Sequence, residues 1–198
     1  IVSRRFGLFD RKETLEQIGE LLGITRERVR QLEKSVVQRL KASAEKDLPH
    51  IKDIETQLLE KLLNSGNVAR INQITGSFVK ENDRLSQSRV AFLAHLCPKL
   101  IVIEDNDHFY HAIGIKSVHD EKAFRELVGK IIDAIKKIGQ PVKIDGIADA
   151  INMKDTKHVA ALASTSKHLA TLNGIWGLIK WPTVNPKNIR DKIYVILH

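Results

Sequence analysis

The chain has 198 residues, an apolar content of 42% and a formal net charge of +8. Its length allows one large domain or two to three small ones, and its single cysteine, Cys97, excludes an internal disulfide framework and is typical of a reducing, cytoplasmic environment. No apolar run reaches the ~20 residues of a membrane span. The first residues show neither a signal peptide nor an initiator methionine, which predicts a fragment of a longer protein. Basic charge is concentrated toward both ends, which favours a polyanion such as nucleic acid as partner.

The stretch from Thr14 to Lys34 predicts two short amphipathic helices joined by a turn at Gly23. Thr14 and Gln17 have capping-box spacing, and Thr25 is positioned to cap the second helix. The apolar residues of each helix are expected to face the core: Leu15, Ile18, Leu21 and Leu22 in the first, and Val29, Leu32, Val36 and Leu40 in the second.

The outward face of the second helix carries side chains that suit contacts with DNA: Arg26, Glu27, Arg28, Arg30, Gln31 and Lys34. Arg26 and Arg30 are one turn apart, as are Glu27 and Gln31, so these four are expected to face one groove floor. Arginine suits guanine, glutamine suits adenine, and glutamate can accept from the cytosine amino group, which predicts base contacts in the major groove. A solvated charged helix without a ligand is the alternative interpretation.

These residues also carry a resemblance to a known family. The RFGL stretch at residues 5–8 and the segment from Thr14 to Lys41 resemble region 4 of bacterial primary-type sigma factors, the module that binds the upstream promoter hexamer. The resemblance implies double-stranded DNA as a partner, and RNA polymerase core as a second one. A sigma factor normally ends shortly after this module, whereas about 150 residues follow it here.

The resemblance also implies individual roles on the second helix. In that family, the matching positions fall into base contacts, at Arg26, Glu27 and Gln31, and contacts with phosphates, neighbouring bases or activators, at Thr25, Arg28 and Arg30. The helix is expected to continue to about Ala44 and to end before Pro49, where the first domain boundary is predicted.

Residues 51–116 predict three helices followed by a β-hairpin, which is the element order of a winged helix. The third of these helices, at residues 86–96, contains Arg89 as its only cation. This low charge disfavours contacts with the major groove by the middle unit.

A second unit of the same layout is predicted from residue 120 onward, with its third helix at residues 156–172 and a hairpin strand at residues 174–182. Residues 70–74 align with 143–147, and residues 89–94 with 158–163, which indicates an internal repeat. The stretch from Trp176 to Pro182, with the helix before it, loosely resembles the small winged-helix family found in the delta subunit of RNA polymerase.

Lysines make this last unit the better candidate for contacts with a phosphate backbone, and Lys143 and Lys157 are predicted to make them. A final helix is expected to be capped by Asn185, with Pro186 at its first position. Its apolar stripe either seals the last unit or begins another repeat.

The sequence contains no catalytic motif, which predicts a protein without enzymatic activity and without a cofactor. His95, Cys97, His108 and His111 could in principle supply zinc ligands. Because their spacing matches no zinc module, a buried thiol and hairpin histidines are the preferred interpretation, and no metal site is predicted.

The predicted fold class is mainly α: a sigma region 4-like helix-turn-helix at residues 1–46, followed by winged-helix units with small β-hairpins at residues 51–116 and 120–198.

The first hypothesis for the function is a DNA-binding transcription regulator that contacts a promoter-like sequence in the major groove and uses the winged helices as auxiliary modules. The second is a module that docks on RNA polymerase core through an apolar groove. The third is an accessory DNA-binding subunit of a larger nucleic-acid enzyme. Each leaves the oligomeric state open.

Overall fold

The computed structural model describes residues 1–118 and 120–197, apart from the side chain of Tyr194. His198, the last residue of the predicted third unit, and His119 lie outside the described residues. The elements up to the first hairpin are α1 (Val2–Phe6), α2 (Leu15–Leu22), α3 (Arg26–Asp47), α4 (Ile51–Asn64), β1 (Val68–Arg70), α5 (Ile71–Gly76), α6 (Arg84–Leu96), β2 (Leu100–Ile103) and β3 (Ala112–Ile115). Those that follow are α7 (Glu121–Ile138), β4 (Val142–Lys143), α8 (Ile144–Ala150), α9 (Thr156–Thr165), β5 (Leu169–Leu172), β6 (Ile175–Leu178) and α10 (Ile189–Leu197).

The predicted mainly α class with small β-hairpins is confirmed. β1 pairs antiparallel with β3, with Val68 opposite Gly114. In the second sheet β6 lies between β4 and β5, and Trp176 is opposite both Val142 and Thr171. The sheets are short, so most of the buried apolar surface comes from helices.

Contacts divide the chain into two compact units, each built from two segments. The first unit contains Ile1–Lys61 and Ile71–Val102, and the second contains Leu62–Arg70 together with the chain from Ile103 onward. The chain therefore passes from one unit to the other inside α4, between β1 and α5, and inside β2. The three-part division that the sequence repeat indicates stays a prediction.

In the first unit, α1 and α6 contact each other directly. The Phe6 ring lies 4.9 Å from that of Phe92 and 5.6 Å from that of His95, measured between centroids. Arg89 donates from Nε to the carbonyl oxygen of Leu8 over 2.9 Å. The face of α6 that carries Arg89, which the sequence placed in the recognition position of the middle unit, is therefore engaged by the N-terminal segment.

In the second unit, α9 is buried on most of its surface. Its buried residues are His158, Val159, Ala161, Leu162, Ala163 and Thr165. His158 Nδ1 lies 2.7 Å from the carbonyl oxygen of Gly66, just before β1. Arg70 of β1 donates from Nε to the carbonyl oxygen of Ser164, and its guanidinium lies 3.8 Å above the Tyr110 ring. The helix that the sequence placed in the recognition position of the last unit is thus a core element.

The prediction of one helix over residues 156–172 is wrong beyond Thr165, where α9 ends. Leu169–Leu172 form β5 instead, because Asn173 and Gly174 make the turn that pairs this segment with β6. Both turn residues have positive φ, 51° and 79°, as a two-residue hairpin turn requires.

The predicted cap at Asn185 is also wrong. Asn188 caps α10, accepting from the Asp191 amide over 2.8 Å.

Two of the predicted core faces differ from the structure. Leu21 and Leu22 at the end of α2 are exposed, at 57% and 48%. On α3, Val37 is buried and Val36 is exposed. The reason is that the far half of α3 packs against α6, which selects the neighbouring valine as the inward one.

Candidate nucleic-acid interface

The turn between α2 and α3 is fixed by side-chain caps at the start of each helix. Thr14 Oγ1 accepts from the Gln17 amide over 3.2 Å, and Gln17 Oε1 accepts from the Thr14 amide over 2.9 Å, so the predicted capping box is confirmed. Gly23 ends α2 in the left-handed conformation, with φ of 65°. Thr25 Oγ1 accepts from the Arg28 amide over 3.2 Å and caps α3. The side chains of Thr14, Gln17 and Thr25 thus accept from backbone amides at helix starts, which have no partner within the helix.

A glycine within α2 allows the turn to close on the helix. Gly19 is buried, and a Cβ placed on it would lie 2.7 Å from the carbonyl oxygen of Ile24. Real Cβ atoms do not approach a backbone oxygen so closely, so no other residue fits here without movement of the turn. The sequence interpretation missed Gly19. The signal available for it was a glycine inside a short helix, where it costs helix stability and needs another reason to be present.

The first turns of α3 carry a connected network of exposed side chains. Arg30 donates to Glu27 through Nη2 and Nε, over 2.7 and 2.8 Å. Gln31 Nε2 donates to Glu27 Oε1 over 3.4 Å, and Arg28 Nη1 donates to Gln31 Oε1 over 3.5 Å. The structure thus brings four of the predicted site residues into contact with one another.

Arg26 is tied to the preceding helix rather than to this network. Its Nη1 lies 2.9 Å from Oε1 of Glu16, and its side chain is 70% exposed. Arg26 is therefore held at the start of α3 while its guanidinium stays open to solvent.

Hydrogen bonds shift the pKa values of the acidic groups at this face. The Arg30 hydrogen bond lowers the pKa of Glu27, and the same bond raises the pKa of Arg30. The pKa of Glu16 is lowered by a hydrogen bond from its own backbone amide, and further by the charge of Arg26. Both carboxylates are therefore ionised at neutral pH, and the face presents alternating acidic and basic groups.

Basic side chains continue along α3 beyond this network. Lys34 is exposed, and with Arg30, Val37 and Lys41 it lines a shallow cleft of 320 Å³ whose other wall includes His95 of α6. Residues four and seven apart on a helix share one face, so Arg30, Lys34 and Lys41 form one basic stripe.

Lys143 and Lys157 belong to the second unit. Lys143 precedes α8 at its N-cap position and makes no side-chain cap bond, and Lys157 is in the first turn of α9. Both side chains are exposed. The two predicted phosphate contacts therefore come from the starts of successive helices.

The residues weighed as zinc ligands have other contacts. The buried Cys97 thiol donates to the carbonyl oxygen of Leu93 over 3.3 Å, and burial raises its pKa to about 12. His108 Nδ1 lies 2.8 Å from His168 Nε2, and His111 lies 3.9 Å from a carboxylate oxygen of Glu104. Within residues 1–118 and 120–197, no group of three or more His, Cys, Asp or Glu side chains is arranged to hold a metal ion.

Among the same residues, no helix combines the length and apolar character that crossing a bilayer demands.

The capped α2 and α3, their left-handed glycine turn and the polar face of α3 define a helix-turn-helix module. Residues 1–42 match the family model "Sigma-70, region 4", and they are a sigma region 4 helix-turn-helix. Over 42 residues the chain is 50% identical to the RNA polymerase sigma factor sigB of Arabidopsis thaliana. That match covers 21% of this chain and 7% of the relative's own length. No solved structure matches the chain. The winged-helix assignment of the later elements accordingly stays a prediction.

Proposed function

We propose that this chain is a non-catalytic, DNA-binding transcription regulator that inserts the N-terminal half of α3 into the major groove of a promoter-like duplex. The observation that carries the proposal is the exposed network of Arg28, Gln31, Glu27 and Arg30 on one face of α3, in a module of the sigma region 4 family. Bidentate and amide groups of this kind are the side chains that distinguish base edges in the major groove.

The geometry of the turn supports this role because it fixes where the polar side chains stand. Two capped helix starts and the close approach at Gly19 leave α3 little freedom to rotate against α2. Contacts with bases need such rigidity, since a small displacement of a forked side chain breaks its paired hydrogen bonds. The basic stripe of Arg30, Lys34 and Lys41 would then follow phosphates beside the groove.

The test is a selection of bound duplexes from a random pool, followed by affinity measurements on the selected sequence and a scrambled one. Gln31→Ala and Arg26→Ala should each cost about 1–3 kcal/mol at one base pair of the selected site and should relax the preference there. Arg39→Ala is the matched control, because Arg39 is exposed on the same helix but points about 140° away from Arg26. Recovery of no preferred sequence, or equal effects of all three variants, would refute base recognition.

A second candidate function is docking on RNA polymerase core, and one observation favours it. Leu21 and Leu22 at the end of α2 are 57% and 48% exposed, so they form a small apolar surface that the helix-turn-helix itself does not cover. Such a surface is suited to the apolar side of a partner helix. The measurement is co-migration of the chain with purified core polymerase, comparing wild type with Leu21→Glu. Absence of a complex at micromolar concentration, or a complex unaffected by this substitution, would exclude docking at this surface.

A further inference from the structure

The second unit contains a cleft of 540 Å³ that the proposed function does not use. Phe109, Ile132 and Leu178 contribute an apolar floor, and Gly129 of α7 leaves part of the wall without a side chain. Concave sites of roughly 300–1,000 Å³ with apolar walls and a few polar groups are typical of small-molecule binding. The size and lining of this cleft fall in that class.

The mouth of the cleft has an excess of positive charge. Arg125, Lys136 and Lys180 line it, and Asp133 is the single carboxylate among the described lining residues. Asp133 lies 3.2 Å from Lys136 and neutralises that side chain in part. Lys180 is exposed and has no ion-pair partner among the described residues, which leaves its charge for a bound anion.

One cation is held against the apolar floor. The Arg125 guanidinium lies 5.1 Å from the centre of the Phe109 ring, while its Nη2 is 2.7 Å from Glu121. An arginine placed in this way keeps further N–H donors available above an aromatic surface.

A histidine pair adds directional polar groups beside these cations. His108 Nδ1 and His168 Nε2 are 2.8 Å apart, so one ring donates to the other. Whichever ring donates, the two remaining nitrogens of a neutral pair consist of one donor and one acceptor. Both rings line the cleft, so the pair can supply one hydrogen bond to an oxyanion.

We infer that this cleft binds a small amphiphilic acid, with its apolar body on the partly exposed Ile132 and Leu178 and its carboxylate or phosphate group at Arg125, Lys180 and the histidine pair. Apolar burial supplies the affinity, and the positive mouth selects an acid over a neutral or cationic molecule of the same shape. This site would give the second unit a ligand that is independent of any DNA contact.

The experiment uses decanoate as the probe, titrated into the full chain and followed by calorimetry and amide NMR shifts. Saturable binding with a Kd of about 1 mM is expected, because ligands of this size seldom bind more tightly without a dedicated fit. Decyltrimethylammonium, which has the same chain and the opposite charge, should bind at least about tenfold more weakly. No saturation up to about 10 mM decanoate, or equal binding of both probes, would overturn the inference.

Two sets of variants test the assignment to this cleft. Gly129→Leu places a side chain into the open wall and should abolish binding. Lys136→Gln combined with Lys180→Gln should weaken binding about tenfold, because the mouth of the cleft loses two positive charges. Lys137→Gln combined with Lys187→Gln removes the same charge from exposed lysines outside the cleft and should leave the Kd unchanged. If Gly129→Leu disturbs folding, the two lysine pairs decide, and equal effects of both pairs would refute the site.

Discussion

Arg30 holds both carboxylate oxygens of Glu27, through Nη2 at 2.7 Å and Nε at 2.8 Å. This fork joins two side chains that the sequence interpretation assigned to separate partners in DNA. In the free protein each is therefore oriented by the other, and Gln31 is attached to the same carboxylate. A duplex would therefore meet a preformed pattern of donors and acceptors. Any hydrogen bond within this network that is replaced by a bond to a base reduces the net gain on binding.

The first prediction concerns the acid titration of Glu27. Its pKa is lowered from the ordinary value of 4.5, chiefly by the Arg30 hydrogen bond. Arg30→Gln should therefore raise the pKa of Glu27 toward 4.5, as measured by carbon-detected NMR of the side-chain carboxyl group. A depressed pKa stabilises the folded state at pH values above 4.5, and this contribution is lost as the pH falls through the lowered value.

Arg39→Gln is the matched control, because it removes the same charge from an exposed position on the opposite side of α3. It should leave the titration of Glu27 unchanged. Equal shifts in both variants would mean that net charge, and not the fork, sets the pKa.

The second prediction concerns the close approach at Gly19. Gly19→Ala should lower the free energy of unfolding of the first unit by about 1–3 kcal/mol, because the added Cβ would lie 2.7 Å from the Ile24 carbonyl oxygen. Gly129→Ala is the same substitution within α7, where the added Cβ meets open space, and it should stabilise its helix by up to about 1 kcal/mol. Calorimetric unfolding of the full chain measures both. Stabilisation by Gly19→Ala would show that the turn relaxes freely.

Local signals explain which parts of the fold could be predicted from the sequence. The capping box at Thr14, the cap at Thr25 and the turn at Gly23 depend on residues three or fewer positions apart, and all three are as predicted. The hairpin turn at Asn173 and Gly174 carries an equally local signal, since Asn-Gly is the strongest short hairpin motif. It was missed because the apolar residues before it also fit a helical period.

The buried faces could be predicted only in part, because they depend on partners distant in the sequence. Val36 fits the predicted stripe of α3 better than Val37 does, yet Val37 is the buried one, because α3 also packs against α6. Likewise, nothing near Arg89 indicates that its bond partner is the Leu8 carbonyl oxygen, 81 positions earlier in the chain. The exposure of the α3 face was predictable from its own residues, whereas the pairing of Glu27 with Arg30 required rotamers that spacing does not specify.

The third prediction separates a structural from a DNA-binding role for Arg89. Arg89→Ala removes the bond to the Leu8 carbonyl oxygen and should lower the stability of the first unit by up to about 1 kcal/mol. The affinity for DNA, measured at a temperature where the variant is fully folded, should not change. Arg84→Ala, at an exposed position on the same helix, should change neither quantity. A loss of DNA affinity without a loss of stability would instead assign Arg89 to the nucleic-acid interface.

The fourth prediction concerns the electrostatic role proposed for the second unit. Because α9 is largely buried, the proposed contacts of this unit with a duplex come from two exposed lysines at helix starts, Lys143 before α8 and Lys157 in α9. Each contact with a phosphate releases counterions, so Lys143→Ala or Lys157→Ala should reduce the slope of log K against log salt by about 0.9. Affinity should fall alike for the selected and the scrambled duplex, as measured by fluorescence anisotropy over a salt series.

Lys122→Ala removes an equal charge from the same unit, at a side chain that is 86% exposed and paired only weakly with Glu126 at 3.9 Å. Because this position has no proposed phosphate contact, the slope should stay at its wild-type value. Unchanged slopes in the Lys143 and Lys157 variants would remove the second unit from the DNA interface and leave α3 as the sole proposed contact. A loss confined to the selected duplex would instead mean that these lysines contribute to base preference, which phosphate contacts alone cannot produce.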